Sequence, residues 1–98
     1  MKLSFLQKYI LLRCYEEGGR IDRKIFRGFY KTPEQKALPK YQESIITKSL
    51  ESLIDRELMM GFGKRTAHKW FITHVKLTKK GKVSAEEVLR ENQKKLPL

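Results

Sequence analysis

Ninety-eight residues suffice for one hydrophobic core and are too few for two, so a single domain spanning 1–98 is expected. Hydrophobic residues make up 40% of the chain and aromatics 10%, enough apolar surface to offset chain entropy, which argues against disorder. The 22 Lys and Arg against 11 Asp and Glu leave a net +11, an excess that points to a polyanionic partner, above all nucleic acid.

The first element reads as a helix. Ser4 is a good N-cap, Phe5, Leu6, Tyr9, Ile10, Leu12 and Cys14 recur at helical spacing, and Gly18-Gly19 stops the run. Cys14 is the single cysteine and has no partner for an internal disulfide; beside Leu11, Leu12 and Tyr15 it reads as a small buried hydrophobe in a reducing compartment. Arg20-Ile21 follows as a very short strand. Asp22 then caps a second helix through Phe29, with Ile25, Phe26 and Phe29 apolar and Gly28 weakening its end.

Lys31 to Lys40, with Pro33 and Pro39, has no periodicity and reads as an exposed loop. A third helix begins between Tyr41 and Ser44 and runs to about Glu57, its core stripe being Ile46, Leu50, Leu53 and Ile54. The opposite face draws on Gln42, Ser44, Thr47, Lys48, Glu51 and Arg56, hydrogen-bonding side chains suited to base edges.

From Leu58 onward two strands joined by a basic tip are expected. Phe71, Thr73, Val75 and Leu77 alternate with Ile72, His74 and Lys76, as in a sheet packed on one side. Trp70 and Phe71 invite base stacking, but their strand position favours packing under the hairpin. Thr78 caps a fourth helix to about Gln93, with Val83, Val88 and Leu89 on one face. Between Leu58 and Lys82 lie seven basic residues (Lys64, Arg65, Lys69, Lys76, Lys79, Lys80, Lys82) and no acidic one, so +7 of the net +11 sits in that segment.

His68 and His74 lie six apart with no cysteine near, which is not metal-ligand spacing, and no nucleophile or carboxylate is placed beside them. Neither an enzyme nor a cofactor or metal is expected. Gln7, Lys8 and Arg13 interrupt the N-terminal hydrophobicity, leaving neither signal peptide nor membrane span. A cytoplasmic, nucleoid-associated protein without a membrane partner is the expectation.

Two stretches carry a resemblance. Thr47-Lys48-Ser49-Leu50-Glu51-Ser52-Leu53-Ile54-Asp55-Arg56-Glu57-Leu58 is similar to the recognition helix of the winged helix-turn-helix superfamily of bacterial and archaeal transcription regulators. Val75-Lys76-Leu77-Thr78-Lys79-Lys80-Gly81-Lys82 resembles that family's exit from the wing, an aliphatic strand running into Leu-Thr-x-x-Gly at the last helix. The resemblance implies an α+β fold: a winged helix-turn-helix with a three-helix core, a β-hairpin wing and a C-terminal helix. The chain departs from that pattern in its longer 31–40 connection and in Glu57, which stands where a helix-ending glycine is common.

By that resemblance the function is binding of double-stranded DNA by a small transcription regulator, with helix 41–57 in the major groove. Gln42, Ser44, Thr47, Lys48 and Glu51 would read bases. The 62–70 wing, through Lys64, Arg65, Thr66, His68 and Lys69, would follow the backbone or minor groove, and Arg23, Lys24 and Arg27 would hold flanking phosphates. Glu43 and Glu51 admit two readings, acceptors for cytosine N4 or a sign that this helix stays outside the groove. A homodimer is expected, through Tyr15, Val88, Leu89 and Leu96. An RNA-binding winged helix and a protein-interaction module in a transcription or replication complex are the alternatives.

Overall fold

The structure is a computed structural model and describes residues 2–31 and 37–94, the side chains of 93 and 94 excepted. Pro33 and Leu96, named above, lie outside the described residues. The element order is α1 (Phe5–Glu17), β1 (Ile21–Asp22), a 3₁₀ helix (Arg23–Lys31), α2 (Pro39–Asp55), β2 (Met59–Arg65), β3 (Trp70–Leu77) and α3 (Lys79–Lys94).

Helix α1 starts as the sequence predicts. The Ser4 hydroxyl accepts from the Gln7 N–H at 3.1 Å while the Gln7 side chain accepts from the Ser4 N–H at 3.0 Å, a complete capping box. Its core face is Leu6, Ile10, Leu11 and Cys14; Phe5, expected inside, is 73% exposed because it falls on the opposite side of the helix. Burial pushes the Cys14 thiol up to about 12, consistent with a packing role.

The second helix is 3₁₀ rather than α and runs two residues beyond Phe29, to Lys31. Asp22 caps it as expected, accepting from the Lys24 N–H at 2.9 Å. Only Phe26 of this helix is fully buried, while Phe29 lies against Tyr9 and Tyr30 at ring separations of 5.3 and 5.2 Å. Helix α2 begins at Pro39, earlier than predicted, because proline suits the first helical position, where no N–H donor is needed. Ile46, Leu50 and Leu53 are buried, and Ile54 is half-buried at the edge of the stripe.

The end of α2 shows how Glu57 stands in for glycine. The Leu58 N–H donates to the Leu53 carbonyl at 3.0 Å and the Glu57 N–H to Ile54 at 2.9 Å, a Schellman closure. Glu57 adopts φ 64° to make it, the only left-handed non-glycine among the described residues. Leu58 and Leu53, both fully buried, supply the accompanying hydrophobic contact.

The sheet is antiparallel, with order β1-β3-β2. Ile21 and Asp22 pair with Val75 and His74. The simple alternation expected along β3 fails: Ile72, Val75 and Leu77 are buried, whereas Phe71 and Thr73 are exposed. The register explains it, since Phe62 pairs with His74 but Gly63 pairs with Ile72. Thr73 is thus an extra residue in β3, a bulge that flips parity so that Trp70 and Ile72 face the same side as Val75 and Leu77. Gly63 permits this at φ 153°, where a Cβ would lie 1.9 Å from the Phe71 carbonyl oxygen.

The Thr78 hydroxyl accepts from the Gly81 N–H at 3.0 Å and donates to the Glu57 carbonyl at 2.6 Å, joining the start of α3 to the end of α2. On α3 the core positions are Ala85 and Val88, with Leu89 half-buried; Val83, predicted to share that face, is 53% exposed. Helix α3 lies along α1, with Lys8 3.6 Å from Glu91 and the Tyr15 hydroxyl 3.3 Å from Glu86. Val88 therefore belongs to the core and is not available to a second copy, while Tyr15 and Leu89 retain part of their surface.

Candidate nucleic-acid interface

Helix α2 divides into four sides. Buried Ile46, Leu50 and Leu53 face the core, and Ser52, accepting from the Gln7 amide at 3.2 Å, faces α1. Glu43, Thr47 and Ile54 form the side turned towards the hairpin. At about 100° per residue, Ser44, Lys48 and Glu51 fall on the remaining outward side, and all three are exposed. Gln42 is half-buried, its amide donating to the Ala37 carbonyl at 3.0 Å, so it closes the turn before α2.

Between the 3₁₀ helix, α2 and β3 lies an open concavity with a volume of about 510 Å³. Arg23, Lys24 and Arg27 line one wall, Glu43 and Thr47 a second, and Lys69 through Phe71 with Thr73 and His74 the third. The helix and the basic hairpin thus open onto a common space.

Arg23, expected as a phosphate ligand, is already engaged within the free protein. Its guanidinium donates to the Ile72 carbonyl at 3.2 Å, the Glu43 carbonyl at 3.0 Å, the Glu43 carboxylate at 3.2 Å and the Thr47 hydroxyl at 2.7 Å. It ties the wing strand to α2 from a side chain only 18% exposed. Thr47 is drawn into the same network. Arg27, on the rim and 53% exposed, pairs with the other carboxylate oxygen of Glu43. Lys24 is exposed, and the neighbouring Asp22 carboxyl is held below its ordinary range, first by the Lys24 N–H and then by the charges of His74, Lys24 and Arg27. Neither acidic residue of this concavity was tied to a basic partner by sequence reasoning. The four-residue spacing of Glu43 and Thr47 marks one helix face, but the partner on that face comes from another element.

At the hairpin tip the Thr66 hydroxyl donates to the Lys69 carbonyl at 3.0 Å and accepts from the Lys69 N–H at 3.0 Å, closing a short turn around exposed His68. Lys64, Arg65 and Lys69 are exposed. The Arg65 guanidinium lies 4.0 Å above the Trp70 ring and the Lys69 ammonium 5.0 Å above Phe71, so aromatic faces orient the cations without cancelling their charge. Trp70 is half-buried against α2, as its strand position predicts: a Cβ at Gly61 would meet its indole at 2.7 Å and Ile54 at 2.8 Å. Phe71 is 47% exposed and belongs to the concavity instead. Arg20 stacks over Phe62 at 3.9 Å.

Among the described residues no three His, Cys, Asp or Glu gather to hold a metal, and no helix is long and apolar enough to cross a membrane. No family model matches the sequence, and no curated protein matches it. Solved structures do share the fold. The adhesin competence repressor AdcR of Streptococcus pyogenes aligns over 95% of this chain at 19% identity with a TM-score of 0.63, and the chain covers 60% of that protein. Two variants of ZitR from Lactococcus lactis each align over 96% of this chain at 21% identity, with TM-scores of 0.65 and 0.66, and 56% of either is covered. The fold is that of a winged helix-turn-helix, and the chain spans a little over half the length of these structures.

Proposed function

We propose that the protein binds double-stranded DNA as a transcription regulator, with α2 in the major groove and the 62–70 hairpin along the flanking backbone or minor groove. The observation that carries this reading is the concavity shared by Thr47 of α2 and Lys69 of an acid-free hairpin, which lets both elements meet one duplex. An α-helix fits the major groove, where every base pair has its own donor and acceptor pattern. With Thr47 held by Arg23, base reading falls to the outward Ser44, Lys48 and Glu51. Lys64, Arg65 and Lys69 supply phosphate contacts, and Lys24 extends that track. The repressor named among the structures of this fold agrees with a regulatory role. A second copy would supply the second half-site, using exposed surface at Tyr15 and Leu89; sedimentation at high micromolar concentration is expected to show twice the 11.6 kDa monomer mass.

The test is fluorescence anisotropy with random and selected duplexes over a salt series. Roughly 5–8 neutralised phosphates would give a slope of log K on log salt of about −0.9 each. Arg65→Ala/Lys69→Ala should weaken every duplex uniformly and flatten the slope by about two contacts, whereas Ser44→Ala/Lys48→Ala should erase sequence preference. A binding constant barely changed between low and moderate salt would contradict the proposal, and equal competition by duplex RNA would favour the A-form alternative.

A further inference from the structure

We propose that Arg23 and Arg27 form a seat for one backbone phosphate, which Glu43 fills in the free protein and from which the incoming phosphate displaces it at Arg27; this rests on the DNA-binding reading above. The two oxygens of the Glu43 carboxylate lie on two different guanidiniums, Oε2 at 3.2 Å from Arg23 Nη2 and Oε1 on Arg27 Nε. Two non-bridging oxygens of a phosphodiester present the same bidentate face to a pair of arginines.

The guanidiniums are not equivalent. Arg23 is locked by the Ile72 and Glu43 carbonyls and by Thr47, so its position is set before any ligand arrives. Arg27 stands at the rim, 53% exposed, and its partner Glu43 is 44% exposed. An ion pair so open to water is weak, and a phosphate that arrives as part of a polyanion, with its neighbours held by other cations, exchanges with it. Lys24, Lys69 and His74 line the same concavity, and the other carboxylate there, Asp22, already accepts from the Lys24 N–H. Once Glu43 swings away, Arg23, Lys24, Arg27 and Lys69 outnumber the one remaining carboxylate, Asp22, around this space. The acid on this helix therefore weakens DNA binding without preventing it, and it keeps the seat closed to isolated anions until a polyanion brings its phosphate.

Glu43→Gln tests this, since it removes the charge but keeps the acceptor that Arg23 needs. Duplex affinity at low salt should rise roughly three- to fivefold, a gain that misfolding cannot produce. Arg27→Gln should flatten the salt slope by about 0.9, and the gain from Glu43→Gln should vanish when combined with it. Glu87→Gln, which removes the same charge from the exposed surface of α3, should change affinity by less than about twofold. A gain that persists without Arg27, or that Glu87→Gln matches, reduces the effect to bulk charge and overturns the seat. A readout independent of DNA is the Arg27 Nε–H resonance during titration with inorganic phosphate, expected to shift saturably and at lower concentration in Glu43→Gln than in the native protein. Duplex binding with a silent Arg27 resonance removes the seat and leaves the DNA reading standing. Saturation by phosphate without duplex binding does the reverse.

Discussion

Replacing Glu57 with glycine is expected to stabilise the protein. Glu57 holds φ 64° to let Leu58 and itself close the end of α2 on the Leu53 and Ile54 carbonyls. Holding a residue with a Cβ in that region costs about 1–2 kcal/mol, and glycine removes the cost while giving back roughly 0.5–1 kcal/mol through its freer unfolded chain. The net gain is about 0.5–1 kcal/mol, and at roughly 4–8 °C per kcal/mol for a domain of this size the midpoint should rise by about 2–8 °C. Nothing else of consequence is lost, because Thr78 bonds the Glu57 backbone carbonyl, which glycine keeps. Thermal and urea unfolding followed by circular dichroism and Trp70 fluorescence would measure it. Glu57→Ala is the control: it removes the same charge but keeps the Cβ and should give no gain. A glycine variant no more stable than the alanine variant would falsify the strain argument.

Three further outcomes follow from the packing. Ser4→Ala removes half of the capping box and should cost about 1 kcal/mol in urea unfolding, with Ser4→Asp retaining most of the native stability. Gly61→Ala puts a methyl group 2.7 Å from the Trp70 indole, so it should destabilise by roughly 1–3 kcal/mol and shift the emission of the single tryptophan; an unchanged spectrum would show that Trp70 does not pack there. Cys14 should resist iodoacetamide at pH 8 until the protein unfolds. Because its thiol ionises near 9.0 when free but near 12 when buried, the unfolded chain loses the proton first, so this group's contribution to stability is full below pH 9 and declines towards pH 12. Cys14→Ala should lose that dependence.

Much of the architecture was legible because its signals are local. Ser4 and Gln7 close their box within four residues, Gly18 ends α1 in the left-handed region, and the Leu50 and Leu53 stripe repeats at the helical period whatever lies opposite. The 3₁₀ geometry at 23–31 was not, since Asp22 caps either helix type and Phe26 satisfies both periods. The β3 alternation misled for a different reason. A bulge is a relation between two strands, and only pairing with β2, where Gly63 gives way to the Phe71 carbonyl, reveals Thr73 as the extra residue.

The candidate site divides the same way. Sequence alone located the charge: an acid-free run from Leu58 to Lys82 owes nothing to folding, and the polar outer side of α2 follows from its apolar inner one. Which cations are available and which are engaged was decided by tertiary structure. Arg23 and Lys24 are neighbours of the same sign, yet one is anchored to the Ile72 and Glu43 carbonyls and the other points into water. Composition counts charges, but Coulomb energy depends on separation. The distance between Glu43 and two arginines at least sixteen residues earlier exists only once the chain has packed.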